Sequence, residues 1–217
     1  MALNINGTTG ISGVDGSVSA PAVTGTDSNT GITFPSADTI KFSTGGVERM
    51  AITNSGVTGV GGKILQVVST TETGASTATM STNGEVTLMS RTYTPTVSSS
   101  NALILVSLHL DMDGSYGGMF INLLRDSTAF SRGDAAGNRR QVTIAPDISS
   151  TTFGGNLLGF SILDTGISGT SQVTYKVNLL DQSGGGGIYY MNTGRDNTNN
   201  NYILRAVSTL TVMEVGA

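Results

Sequence analysis

The chain of 217 residues holds one histidine, so chemistry that needs two imidazoles is excluded within a single copy. That histidine, His109, stands between Ser107 and Asp111 in the run NALILVSLHLDM. Serine, histidine and aspartate suggest a hydrolytic triad. On a strand, however, alternate residues are strung about 6.6–7 Å apart along one face, whereas a working triad needs contacts of about 2.6–3.2 Å. His109 therefore reads as a histidine on a sheet face or at an interface between copies. Asp111-Met112-Asp113-Gly114 opens like a calcium loop, but Ser115 is a poor third ligand and Asn122 occupies the place of the bidentate glutamate. An ordinary Asp-Gly turn explains the run more simply. Asp126, Asp134, Asp147, Asp164, Asp181 and Asp196 close strands or sit in turns, and no pair is singled out for glycosidase-type acid–base work. Ser183-Gly184-Gly185-Gly186-Gly187 lacks the following Lys and Ser/Thr of a phosphate loop. The expectation is a protein without catalysis, cofactor or metal.

Recognition chemistry is better represented. Tyr189 and Tyr190 are adjacent, and GRDNTNNN follows at residues 194–201. Arg195 offers a forked pair of donors, Asp196 and Asn199 add acceptors and donors, and an exposed tyrosine ring can stack on a sugar. These five residues form the candidate receptor-binding set. A solvated hairpin with one tyrosine packed inward accounts for the same residues, and the absence of tryptophan counts against a lectin.

Composition narrows the setting. Charged residues are 12% and apolar ones 37%, while the 30 glycines are about twice the usual share. Abundant Ser, Thr and Asn suit a turn-dense β protein whose buried surface is completed by neighbouring subunits. Disorder is disfavoured, because net charge is only −4 and β-branched residues are plentiful. An acidic chain without a basic stripe is not expected to bind nucleic acid. No cysteine is present, which removes disulfides, thiol catalysis and the commonest zinc sites. MALNINGTTG has neither the basic start nor the apolar run of a signal peptide, and no window approaches a membrane span. Export by lysis or on a particle is the expectation, with no membrane insertion.

The elements that position these residues fall into three parts. Residues 1–30 are aromatic-free and small, with dispersed aliphatics, and read as an extended segment held by a partner or as a loose tail. Residues 31–62 carry short alternating strands: Ile32 and Phe34, Ile40 and Phe42, Met50 and Ile52, separated by Pro35-Ser36-Ala37-Asp38, Thr44-Gly45-Gly46 and Asn54-Ser55-Gly56. Burying six such side chains gives roughly 1.5–3 kcal/mol each, against roughly 1–2 kcal/mol for ordering each residue. A single flat sheet cannot offset that cost, but copies around an axis can. Phe34, Ile40, Phe42, Met50 and Ile52 are the expected core of such a trimeric shaft.

The segment from Phe34 to Gly56 resembles a repeat of bacteriophage tail-fibre proteins, FP-x-ADTI-x-FSTGG-x-ERM-x-I followed by an SG turn. The resemblance implies an intertwined homotrimeric β shaft.

Residues 63–217 read as a jelly-roll-like β-sandwich. Strands are predicted at 63–69, within 84–97 where Pro95 stops it, and at 101–112, 119–126, 140–145, 156–164, 171–181, 187–192 and 202–215, with Ile104, Val106, Leu108 and Leu110 on one core face. This part resembles the C-terminal head domain of phage fibres, less specifically than the shaft does. Together the two resemblances imply an all-β virion fibre protein, homotrimeric and assembled in the host cytoplasm. The N-terminus would dock to the virion tail or a portal-proximal adaptor. The knob would bind a host-surface glycan or outer-membrane protein. The alternatives are a capsid-attached decoration fibre and, further off, a glycan-degrading spike.

Overall fold

The computed structural model describes residues 4–6, 10–12, 15–59, 63–113, 118–146, 155–182 and 186–216. Residues 1–3, 7–9, 13–14 and 60–62 of the first two parts, and Gly114, Ser115, Asp147 and residues 183–185, lie outside them. The protein is all-β, and it divides into two compact units, Met1–Lys63 and Ile64–Ala217.

In the first unit, β1 (Asn4–Asn6) pairs with β2 (Gly10–Ser12), and β3 (Gly16–Ser17) with β4 (Ala20–Pro21). Residues expected to be extended coil thus close into short hairpins. A five-stranded antiparallel meander follows in chain order: β5 (Val23–Thr24), β6 (Gly31–Thr33), β7 (Ile40–Thr44), β8 (Val47–Thr53) and β9 (Gly56–Thr58). The sheet therefore starts at Val23, before residue 31. The turn from β7 to β8 is the two-residue kind that needs left-handed backbone at both positions. Gly45 and Gly46 supply it, at φ 60 and 73.

The second unit contains β10 (Ile64–Glu72), β11 (Ser76–Thr79), β12 (Glu85–Tyr93), β13 (Asn101–Asp113), β14 (Met119–Arg125), β15 (Thr128–Phe130), β16 (Asn156–Asp164), β17 (Val173–Asp181), β18 (Ile188–Met191) and β19 (Ser208–Val215). One sheet runs β10-β19-β13-β16. Val106 pairs with both Leu210 and Phe160, so β19 and β16 flank opposite edges of β13. β18 and β11 extend this sheet beyond the end of β19. The other sheet runs β12-β17-β14-β15. Two antiparallel four-strand layers in these orders make a jelly roll.

The core lies between the layers. Ile104, Leu108 and Leu110 of β13 are wholly buried and Val106 nearly so, with Leu123, Tyr175, Val177 and Leu179 contributed by the facing sheet. Several segments depart from the sequence reading: β11 and β15 are short strands it did not predict, and two predicted stretches are not strand. Residues 140–145 form no strand, because β15 already occupies the edge of β14 from Leu123 to Arg125, which leaves a single bridge between Ile121 and Ile144. Residues 202–207 are loop rather than the start of β19, and Tyr202 and Leu204 are exposed.

Candidate functional site

Three surfaces have the character of sites, and the first is in the β5–β9 meander. Cross-strand partners share a face, and the register aligns Val23, Ile32, Phe42 and Met50 in one row and Ile40, Ile52 and Val57 in the next. All the large apolar residues of these strands except Val47 are in these rows. That face is uncovered: Ile40 is 37% exposed, Ile52 38%, Val57 46% and Val23 54%, with Phe42 and Met50 half-buried. Phe34, one residue past β6, is exposed as well. The opposite face holds Thr33, Ser43 and Ala51, all buried, together with the Lys41–Glu48 ion pair at 2.6 Å. Pro21 lies on this side, and a Cβ on Gly31 would come within 2.9 Å of its Cβ. The sheet thus covers its small and polar face and leaves the apolar one open.

The second surface is the loop at 192–207. The register places Tyr189 opposite Met112 and Tyr190 opposite Asp111. Tyr189 points into the core at 7% exposure, with its hydroxyl 3.3 Å from Ser76 Oγ. Little of its ring reaches solvent, so Tyr189 is the inward one of the two tyrosines and is poorly placed for stacking on a sugar. Tyr190 is half-buried on the other face. Arg195 Nη2 pairs with Asp113 Oδ2 at 2.5 Å, so its fork is already engaged on one side. Asp196 and Asn199 are exposed, and Asp196 Oδ2 accepts from Thr198 Oγ1 at 3.2 Å.

The root of this loop is held by a residue the sequence did not single out. Asn192, fully buried in left-handed backbone, donates to the carbonyls of Glu72 and Gly74 at 2.7 and 3.1 Å and accepts from Ser208 Oγ at 2.6 Å. Ser208 Oγ accepts in turn from His109 N–H at 2.9 Å. Ser107, His109 and Asp111 lie along β13 as expected, and His109 Nδ1 is buried without a hydrogen-bond partner. Burial pushes the His109 pKa below its ordinary value, against the opposing charge of Asp111.

The third surface is a cleft over the β12-β17-β14-β15 sheet. Outward residues of the strands, Glu85, Leu180, Asn122 and Leu124, meet Ala129 of β15 and an irregular segment bearing Arg132, Arg139 and Arg140. That segment is fastened to β14 by Ile121 N–H to Ile144 O at 2.9 Å and Leu123 N–H to Thr143 Oγ1 at 3.0 Å. Gln141 Nε2 donates to Gly133 O at 2.9 Å and closes the segment on itself. Arg140 Nη2 donates to Asn83 Oδ1 at 2.9 Å. No sequence motif marks this cleft, because its residues come from strands and a loop far apart in the chain.

Among the described residues no group of three or more His, Cys, Asp or Glu side chains is placed to hold a metal ion.

No family model matches the chain, and no curated protein does. Among solved structures, it is similar to the VP2 subviral particle of infectious bursal disease virus, at 17% identity and a TM-score of 0.34 over 70% of this chain and 38% of that one. It is similar too to the Gx strain of infectious bursal disease virus, at 18% identity and a TM-score of 0.33, over 71% of this chain and 39% of that one. The chain thus spans about two fifths of the length of these structures.

Proposed function

We propose that the chain is a structural virion protein of a tailed phage, a short homotrimeric fibre that acts by adhesion and not by catalysis. The observation that carries this reading is the open apolar face of the β5–β9 meander. Seven aligned aliphatic, aromatic and thioether side chains facing water would be a standing aggregation hazard for a monomer. Two further copies of the same sheet, each with the same open face, would bury one another's rows around a shared axis. The motif from Phe34 to Gly56, with its resemblance to phage-fibre repeats, supports the same arrangement.

The jelly roll offers a matching feature. Val67, Met213, Leu103 and Leu163 align in one row across the outward face of the β10-β19-β13-β16 sheet, with Val67 and Leu163 exposed. An apolar ladder across a sheet exterior suits contact between identical heads. In this reading the N-terminal residues dock the fibre to the particle and the jelly roll meets the host. Three identical weak sites on one particle then act together, and avidity exceeds the single affinity by orders of magnitude where geometry permits.

Sedimentation equilibrium of the full chain tests the reading. A particle of three chain masses is expected. A stable folded monomer at micromolar concentration overturns it.

A further inference from the structure

We infer that the cleft over the β12-β17-β14-β15 sheet binds a carboxylated sugar, with the arginines gripping the carboxylate and Asn122 and Glu85 receiving the hydroxyls. The inference stands whether or not the protein is a fibre, since it rests only on the second unit.

The first argument is charge. The chain is acidic overall, at −4 with 11 Lys and Arg in total, yet Arg132, Arg139 and Arg140 surround one concavity. Among the described residues neither Arg132 nor Arg139 has a carboxylate partner. Arg140 is held in place through Asn83, which also accepts from Gln182 Nε2 at 2.8 Å. A planar carboxylate matches the guanidinium fork with two parallel hydrogen bonds.

The second argument is the cleft floor. Asn122 lines the cleft, is only 7% exposed, and its Oδ1 is buried with no hydrogen-bond partner among the described residues. Buried acceptors in native proteins are almost always satisfied, so this oxygen calls for a donor, which a ligand hydroxyl supplies once the amide turns toward the cleft. Glu85, the carboxylate of the cleft, accepts from Asn178 Nδ2 at 3.2 Å and has further acceptor capacity.

These demands together select the ligand. A bare sulfate supplies acceptors alone and leaves both Asn122 and Glu85 without a donor from the ligand. A neutral sugar supplies donors but leaves the arginines unmatched. A uronic or similar acidic sugar carries both groups on one ring, and its C–H face suits Leu124 and Leu180. The cavity, about 360 Å³, is the size for one or two rings. Among the described residues no aromatic side chain lines it, so they offer no stacking platform of the kind single-stranded nucleic-acid sites use.

The test is an NMR titration of the isotope-labelled full chain with cellobiouronic acid and with cellobiose, which differ by one carboxylate, at about 0.15 M salt. The acid is expected to bind at least about tenfold more tightly than the neutral sugar, with the largest shifts at Asn122 and residues 132–141. Arg139→Glu, on an exposed side chain, is expected to abolish the preference while leaving the melting temperature unchanged. Asn122→Ala should weaken both sugars. If Asn122→Ala fails to fold, Arg139→Glu alone decides. Equal binding of the two sugars overturns the inference, as does competition by inorganic sulfate at the concentration of the acid, tighter binding of a dinucleotide, or an unaltered Arg139→Glu. Sedimentation of the same samples keeps the two readings apart. A trimer without uronate binding leaves the fibre proposal standing, and a uronate-binding monomer leaves the cleft and removes the fibre.

Discussion

Ser100 Oγ donates to Glu214 Oε1 at 2.6 Å, and this bond locks a loop to a strand 114 residues further along the chain. It belongs to a larger clamp. Oε1 also accepts from the N–H groups of Thr96 and Val97 at 2.8 and 3.2 Å, and Oε2 accepts from Gln66 Nε2 and Thr96 Oγ1 at 2.7 and 3.0 Å. A fully buried carboxylate is tolerated only when its lone pairs are filled in this way. The clamp ties the β12–β13 loop to β19 and β10, next to β13, which contributes more buried core residues than any other strand.

Replacing Glu214 with alanine leaves the Thr96 and Val97 N–H groups without an acceptor inside the protein. A loss of about 2–4 kcal/mol is expected from unsatisfied buried donors. Glutamine should recover only part of it, because its amide nitrogen turns a donor toward donors. Urea unfolding of the head checks both, and a cost for alanine below about 0.5 kcal/mol would show the clamp to be dispensable.

The same clamp gives a pH dependence with a definite sign. Burial pushes the Glu214 carboxyl up, but hydrogen bonds from Ser100, Gln66 and the Thr96 and Val97 backbone outweigh it, and its pKa falls below the ordinary 4.5. The folded state therefore holds the proton less well than the unfolded chain. Stability from this group is fully present above pH 4.5 and declines as pH falls through the lower folded-state pKa. The acid arm of the melting-temperature profile should be shallower in Glu214→Gln than in the wild type.

Much of the architecture was legible in the chain, for a reason that also explains what was missed. Strand β16 reads directly from NLLGFSILD, because Leu158, Phe160 and Ile162 alternate with outward positions and a glycine stands near each end of the run. Most of the meander is as clear, since Pro35-Ser36-Ala37-Asp38, Gly45-Gly46 and Asn54-Ser55-Gly56 mark its turns, but β5 was missed among the small residues before residue 31. Alternation also places Glu214 on the inward side of STLTVMEV beside Leu210 and Val212, a signal present but not drawn upon. Residues 140–145 show the limit: Val142 and Ile144 alternate like a strand, yet pairing depends on a vacant edge that local pattern does not reveal. The arginine cleft was invisible for the related reason that Arg139 and Asn122 meet only through the fold. Of the recognition residues, adjacency marked the tyrosines, but only register decides which one of Tyr189 and Tyr190 points inward.

Leu108 sits at the middle of β13, fully buried. Truncation to alanine removes transfer energy and leaves a cavity in a close-packed interior, with an expected cost of about 2–5 kcal/mol. Equilibrium unfolding measures it directly. A cost below about 0.5 kcal/mol would mean that the surrounding strands collapse into the gap.

In the meander, Phe42→Asp and Ile52→Asp place carboxylates in the middle of the open apolar face. A monomer would tolerate both, because the face is wet. A trimer would have to bury three charges near its axis, at a penalty of several kcal/mol for each ion. Both variants are therefore expected to sediment as monomers or aggregates while the head keeps its near-ultraviolet signature. Intact trimers from both would place the subunit contacts elsewhere.

The loop at 192–207 supplies the test of host recognition. Arg195 is partly exposed and paired with Asp113, and such pairs are worth about 0–1 kcal/mol, so Arg195→Ala should shift the melting temperature little. Asn199 is exposed, and Asn199→Ala should be equally mild for stability. If the loop meets the host, both substitutions reduce adsorption of particles to cells, Arg195→Ala the more because it removes a charged fork. Adsorption unchanged in both, with fibres present on the particles, would exclude the loop and turn attention to the arginine cleft, where Arg139→Glu makes the same comparison. Deletion of the whole jelly roll bounds the argument: if particles lacking it adsorb normally, the protein is a decoration fibre and not the adhesin.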